Sequence, residues 1–162
     1  MKEKNRYNCI LSNQDFQTHI QNIAANEYNR QFCKHDLSHL INVARLAYIY
    51  SLEKNLSIDK DLIYAAALLH DIGRSPQYET GKPHNIEGIK IAYTILVASG
   101  YNDNEIEMIS ESILKHSNID EFDHTILSLL IAKADKDSRL CFVCKSRSQC
   151  KWEEHKKNKV LM

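Results

Sequence analysis

The feature that most constrains this chain is the recurrence of apolar residues every three to four positions, block after block. Only an α-helix gathers such a period onto one face. No alternating run bounded by hairpin signals competes with it. Four glycines and two prolines in 162 residues are too few turn formers for a many-stranded sandwich. The expectation is an all-α helical bundle, and the length suits one core rather than two.

Capping candidates and stripes divide the chain into about six main helices. The first follows Ser12 and Asn13, with Phe16, Ile20, Ile23 and Ala24 on one face. The second follows Asp36 and aligns His39, Val43, Leu46, Ala47 and Tyr50. The third starts near Asp59, runs through Leu62, Ile63, Ala66 and Leu69 to His70, and stops at Gly73, a favoured residue just beyond a helix end. Residues 74–83 hold both prolines and read as an exposed loop. The next helix opens around Asn85, carries Ile89, Ala92, Tyr93 and Leu96, and ends at Gly100. Asp103 is expected to cap another, with Ile106, Ile109, Ile113 and then His116 inward. Asp123 is expected to start the last, with Leu127, Leu130, Ile131 and Ala134 inward and Asp135 beside them. Residues 1–140 thus form the helical domain, and residues 141–162 a cysteine-containing segment packed on it.

Lys plus Arg and Asp plus Glu both number 21, so no overall field steers the chain to nucleic acid or an anionic membrane. The Lys-rich tail from Lys151 to Lys159 is a weak nucleic-acid footprint without such a field. A small substrate is the better expectation. No run approaches the ~20 apolar residues of a membrane span, and the charged N-terminus lacks an apolar stretch. A cytoplasmic chain is expected, whose five cysteines are thiols or metal ligands rather than a disulfide framework.

Three ionisable residues interrupt stripes that otherwise read as core: His70 after Ala66, His116 after Ile113, and Asp135 after Leu127. A buried carboxylate needs compensation, so Asp71 and Asp135 call for a cation or a strong donor. Imidazole nitrogen mixed with carboxylate oxygen suits Mn, Fe, Co, Ni or Zn better than calcium or magnesium.

The segments HDLSHLINVARLA (35–47), AALLHDIG (66–73) and AKADK (132–136) resemble, in order and separation, the H…HD…D signature of the HD-domain phosphohydrolases. The resemblance covers residues 32–139. It implies an HD-type helical fold, one or two divalent transition metals held by His39, His70, Asp71 and Asp135, and hydrolysis of a phosphomonoester or phosphoanhydride, with a nucleotide as the expected small phosphorylated substrate. His39 rather than His35 takes the ligand position in such H-D-x-x-H segments. Asn42 departs from the arginine often found there. His84 and His116 resemble two further histidines near the metal, which either hold a second ion bridged by Asp71 or contact the phosphate. Asp71 could orient the attacking water. Arg74, Lys82, Lys136 and Arg139 are candidate phosphate clamps, Arg74 foremost because it follows the HD turn.

Cys141, Cys144 and Cys150, followed by Trp152, form a second constellation. With a fourth ligand from Cys9, Cys33 or His155 they could bind zinc or an iron–sulfur cluster; without one they are packing thiols. Two other functional classes stand beside hydrolysis. One is a mixed-valent di-iron oxygenase on an HD scaffold, and the other a non-catalytic ligand or redox sensor.

Overall fold

The structure, a computed structural model, describes residues 5–117 and 123–161. Among these there is no β-strand, and the chain runs through α1 (Tyr7–Ser12), α2 (Gln14–Asn26), α3 (Leu37–Glu53), α4 (Lys60–Leu69), α5 (Arg74–Thr80), α6 (His84–Ala98), α7 (Asp103–Lys115) and α8 (Ile126–Asp137). Six of these reach ten residues or more, matching the expected count of main helices. No helix is long and apolar enough to cross a membrane.

The helix starts follow side-chain chemistry. Asn13, Asp36, Asp59, Asn102 and Thr125 each accept a backbone N–H of the first turn they precede. At α7 the cap is Asn102 and not Asp103, because Glu105 reaches back to the Asn102 N–H and completes a capping box. At α8 the cap is Thr125, and Asp123 lies exposed before the helix.

Helix α4 is the centre of the bundle and packs against α1, α3, α7 and α8. Ala65, Ala66, Ala67, Leu68 and Leu69 are all buried, as expected for a helix that is apolar all round. Its start is pinned from a direction the periodicity does not reveal. Arg6 Nε donates to the fully buried Asp61 at 2.9 Å, while both terminal nitrogens of Arg6 reach Glu105 at 2.8 Å. This ties the unforeseen helix α1 to α4 and α7.

Residues 74–80 are a helix rather than part of an exposed loop. Pro76 is the third residue of α5, where a missing N–H costs nothing because first-turn amides have no intrahelical partner. Ser75 is buried and its hydroxyl meets His19 Nδ1 at 3.0 Å; the helix ends at Gly81, whose φ of 71° is left-handed. Gly73 has a different role from the one expected. Its φ is −70°, so it is no left-handed cap; a Cβ there would lie 1.8 Å from the His84 carbonyl oxygen. Two residues placed on inner faces by periodicity point outward, Ala24 and Tyr93, the latter 56% exposed.

Candidate metal centre

Four side chains converge from three helices. Asp36 caps α3 and fixes the first turn that carries His39. His70 and Asp71 follow directly on α4, and Asp135 lies in the last turn of α8. His39 Nε2 is 3.1 Å from Asp135 Oδ1 and 3.9 Å from Asp71 Oδ2; His70 Nε2 is 3.2 Å from Asp71 Oδ2 and 3.9 Å from Asp135 Oδ1. The other oxygen of Asp71 faces a second pair, with Oδ1 3.5 Å from His84 Nε2 and 3.7 Å from His116 Nε2. One buried carboxylate therefore stands between two imidazole pairs. Each group, His39, His70, Asp71 and Asp135 or Asp71, His84 and His116, is compact enough to hold a metal ion.

The protonation pattern fits that use. His70 Nδ1 is 2.7 Å from the Ala67 carbonyl and His116 Nδ1 is 2.8 Å from that of Ile113. A carbonyl only accepts, so both rings carry the proton on Nδ1 when neutral and turn the Nε2 lone pair into the site. His70 Nε2 is wholly buried and faces the carboxylate oxygens Asp71 Oδ2 at 3.2 Å and Asp135 Oδ1 at 3.9 Å, so on a neutral ring its lone pair has no donor, a lack that a bound cation would satisfy. Arg139 Nη2 already lies 3.1 Å from both His39 Nε2 and Asp135 Oδ1. A guanidinium only donates, so His39 Nε2 is an acceptor there and the guanidinium occupies a position suited to a cation.

Electrostatics point the same way. Burial pushes His39 down to about 4, helped by Arg139 and His70, and pushes His84 down to about 4, helped by Arg74. Burial also disfavours a charge on His70, yet Asp71 and Asp135 outweigh it and raise that ring to about 10. Burial would raise both carboxyls, but His70, His116 and Arg74 hold Asp71 well below the usual carboxylate range, and His39, His70 and Arg139 do the same for Asp135. The site keeps two carboxylates ionised and demands positive charge between them.

Around the centre, Arg74 Nε donates to Asp71 Oδ1 at 2.8 Å. A cavity of about 740 Å³ opens over His39 and Asp135 and is also lined by His35, Asn42, Arg74 and Arg139. His84 and His116 do not line it, and neither do Lys82 and Lys136, which are exposed. Of the four candidate clamps, only the two arginines face the cavity.

Glu27 went unnoticed in the sequence. It ends α2, is 1% exposed, and accepts from the His35 backbone N–H at 2.7 Å, from His35 Nδ1 at 2.5 Å and from the Tyr78 hydroxyl. Burial would raise its carboxyl, but these donors lower it from 4.5 to about 2. Ionised, it can only accept, so His35 carries its proton on Nδ1 and keeps Nε2 for the cavity. The only sequence signal was an acid at a helix end, which does not separate it from surface glutamates. A depressed folded pKa contributes stability that is present above the unfolded value and lost as pH falls through the folded one. Glu27→Gln should therefore unfold more readily than the parent at neutral pH, and the gap should close between pH 4.5 and about 2. Urea titrations at stepped pH would test this, and a gap independent of pH would contradict an ionised Glu27.

Comparisons with known proteins identify the family and the fold. The family model described as "HD domain" matches residues 36–140, and the chain belongs to that family. It is 43% identical to an uncharacterised protein of Clostridium beijerinckii over 94% of this chain and 96% of that one. It is 32% identical to the Bacillus subtilis protein YueE, named as a candidate phosphohydrolase, over 58% of this chain and 61% of that protein. Ribonuclease Y of Clostridium tetani is 32% identical over 67% of this chain, which spans only 19% of that enzyme. A crystal structure of a predicted HD superfamily hydrolase from an uncultured Thermotogales bacterium superposes with a TM-score of 0.63 at 21% identity, covering 87% of this chain and 80% of that one, a likeness of fold.

Proposed function

We propose that this protein hydrolyses a phosphomonoester or phosphoanhydride bond of a small molecule, a nucleotide being the best fit, with a divalent transition metal at His39, His70, Asp71 and Asp135. The observation that carries this reading is the placement of His39 and Asp135 on the floor of a cavity whose walls also bear Arg30, Lys34, Arg74, Arg139 and Arg147. When bound, a divalent metal supplies Lewis acidity toward a phosphoryl oxygen and lowers the pKa of a coordinated water. The chain's own residues do the rest. Arg74 and Arg139 offer charged donors to phosphoryl oxygens, Asp71 orients the water, and His35 holds a proton on Nδ1 against Glu27 while its Nε2 meets the cavity. The lysines and arginines suit a substrate with more than one phosphate, and Trp152 on the same wall offers a stacking face for a base.

The test is phosphate or pyrophosphate release across a panel of nucleotides and phosphomonoesters, under strict anaerobiosis, with Mn or Co as the metal. A short RNA belongs in the panel because ribonuclease Y is a relative. Turnover abolished by chelator and restored by metal is the expected result. A second reading has one observation in its favour: His84 and His116 stand ready on Asp71 Oδ1 for a second ion, as a di-iron oxygenase would need. Iron-dependent dioxygen consumption with no phosphate release would establish that reading instead. Ligand binding with no turnover would mark a sensor.

A further inference from the structure

The phosphohydrolase reading uses none of the five cysteines, and the fold brings four of them to the lining of one cavity. Cys33 lies between α2 and α3, more than a hundred residues before Cys141, Cys144 and Cys150, yet all four line the same space. Cys33 is near enough to Cys141, Cys144 and Cys150 that each acts electrostatically on its thiol. The other two fourth-ligand candidates drop out. Cys9 is exposed on α1 and His155 is exposed in the tail, and neither lines the cavity.

The juxtaposition is held by specific bonds. Ser146 Oγ donates to the Gln31 carbonyl at 3.2 Å, Gln31 bonds the Gln149 side chain, and Arg139 Nη1 donates to the Lys34 carbonyl at 3.1 Å. After α8 the chain turns through three short 3₁₀ segments, Cys141–Val143, Arg147–Gln149 and Glu154–Lys156; Cys144 follows directly on the first and Cys150 on the second.

This segment has almost no apolar core. Among its described apolar side chains only Cys141 is buried, while Leu140, Phe142, Val143, Trp152, Val160 and Leu161 are all exposed. Its buried cation Lys157 donates to the Arg147 carbonyl, and Arg147 and Asn158 donate to other carbonyls of the turn. A short stretch that buries so little apolar surface needs another source of folding energy, and where thiols converge a metal supplies it. The spacing of the sulfurs bears on which metal. A single zinc with Zn–S bonds of about 2.3 Å holds its sulfurs less than about 4 Å apart. Among the described residues no three of these sulfurs gather within 4.8 Å of one another. A cluster several atoms across holds its thiolates farther apart. The cavity wall also carries Arg30, Lys34, Arg139, Arg147, Lys151 and Lys157, which offset the charge of four thiolates.

We infer that Cys33, Cys141, Cys144 and Cys150 bind an iron–sulfur cluster, a second inorganic site beside the HD metal centre. Binding exchanges four S–H protons for four Fe–S bonds. Arg139 links the sites, since it bonds His39 and Asp135 and also donates to the carbonyl of Lys34, the residue after Cys33.

The experiment uses full-length protein isolated under anaerobic conditions, with iron, zinc and acid-labile sulfide measured together with the visible absorption of thiolate-bound iron. About four sulfides per chain are expected for a four-iron cluster. Cys33→Ser and Cys144→Ser should each lose most of the sulfide and the absorption. Asp71→Ala, which removes the shared carboxylate of the HD centre, should keep both. Zinc without sulfide in the parent protein, or sulfide that persists in both serine variants, would overturn the inference. The sulfide content of the parent decides the matter even if a serine variant fails to fold.

Discussion

Asp71→Ala should leave the protein folded and strip it of the metal of the HD centre and of hydrolysis. The side chain gives Oδ2 to the group of His39, His70 and Asp135, and Oδ1 to the pair His84 and His116, so one truncation opens both groups at once. Loss of a partner outside the ligand shell costs roughly 10- to 100-fold in metal affinity or activity. Loss of a carboxylate within it should exceed that range. The fold should survive, because removing the carboxylate takes away part of what raises His70 and leaves Asp135 beside the ring. Neutral, that ring keeps its bond to Ala67, and charged it keeps Asp135 nearby, so no buried cation is left unpaired. Asp71→Asn keeps the volume and one acceptor and should retain the fold equally well while still losing metal. Metal analysis of the purified variants beside their circular dichroism makes the comparison. Full metal content in Asp71→Ala would remove these residues from the metal centre.

The part of this centre that was legible in the sequence is the part written into local pattern. His70 and Asp71 close a helix that is apolar on every side, and Asp135 continues the stripe of Leu127, Leu130, Ile131 and Ala134, so their inward direction follows from the 3.6-residue period. Their separations along the chain add the HD signature. What stayed illegible depends on contacts between segments distant in sequence. Glu27 looks like any acid at a helix end until the fold sets His35 and Tyr78 against it. Arg6 looks like part of a charged terminus until Asp61 and Glu105 close on it. Residues 74–80 carry the sequence signal of a loop because Pro76 weighs against a helix unless the helix start is known to lie at Gly73. Cys33 carries no local signal that sets it apart from Cys9; only the path of the segment after α8 brings it beside Cys141.

Gly73→Ala should be among the most destabilising single changes in the chain, although it adds one methyl group. Its backbone φ of −70° suits any residue, so no conformational penalty is involved. The obstacle is contact. An added Cβ would lie 1.8 Å from the His84 carbonyl oxygen, 2.5 Å from the Gly88 amide nitrogen and 2.8 Å from the His84 carbonyl carbon, all main-chain atoms of α6. Backbone cannot rotate aside as a side chain does, so α6 must shift as a body, and ordinary overpacking costs of about 1–3 kcal/mol set the lower end of the expected loss. Gly88, on the other side of the same contact, is the matched control. A Cβ there meets Ile113 Cγ2 at 3.3 Å and the Gly73 amide nitrogen at 3.4 Å, crowding that small adjustments relieve, and alanine within a helix recovers up to about 1 kcal/mol of propensity. Gly88→Ala should thus change the urea midpoint little, whereas Gly73→Ala should lower it sharply. Because α6 carries His84, and Gly73 follows Asp71 by two residues, the shift should also open the group of Asp71, His84 and His116. Equal midpoints for the two variants would mean that the backbone of α6 does not rest on Gly73.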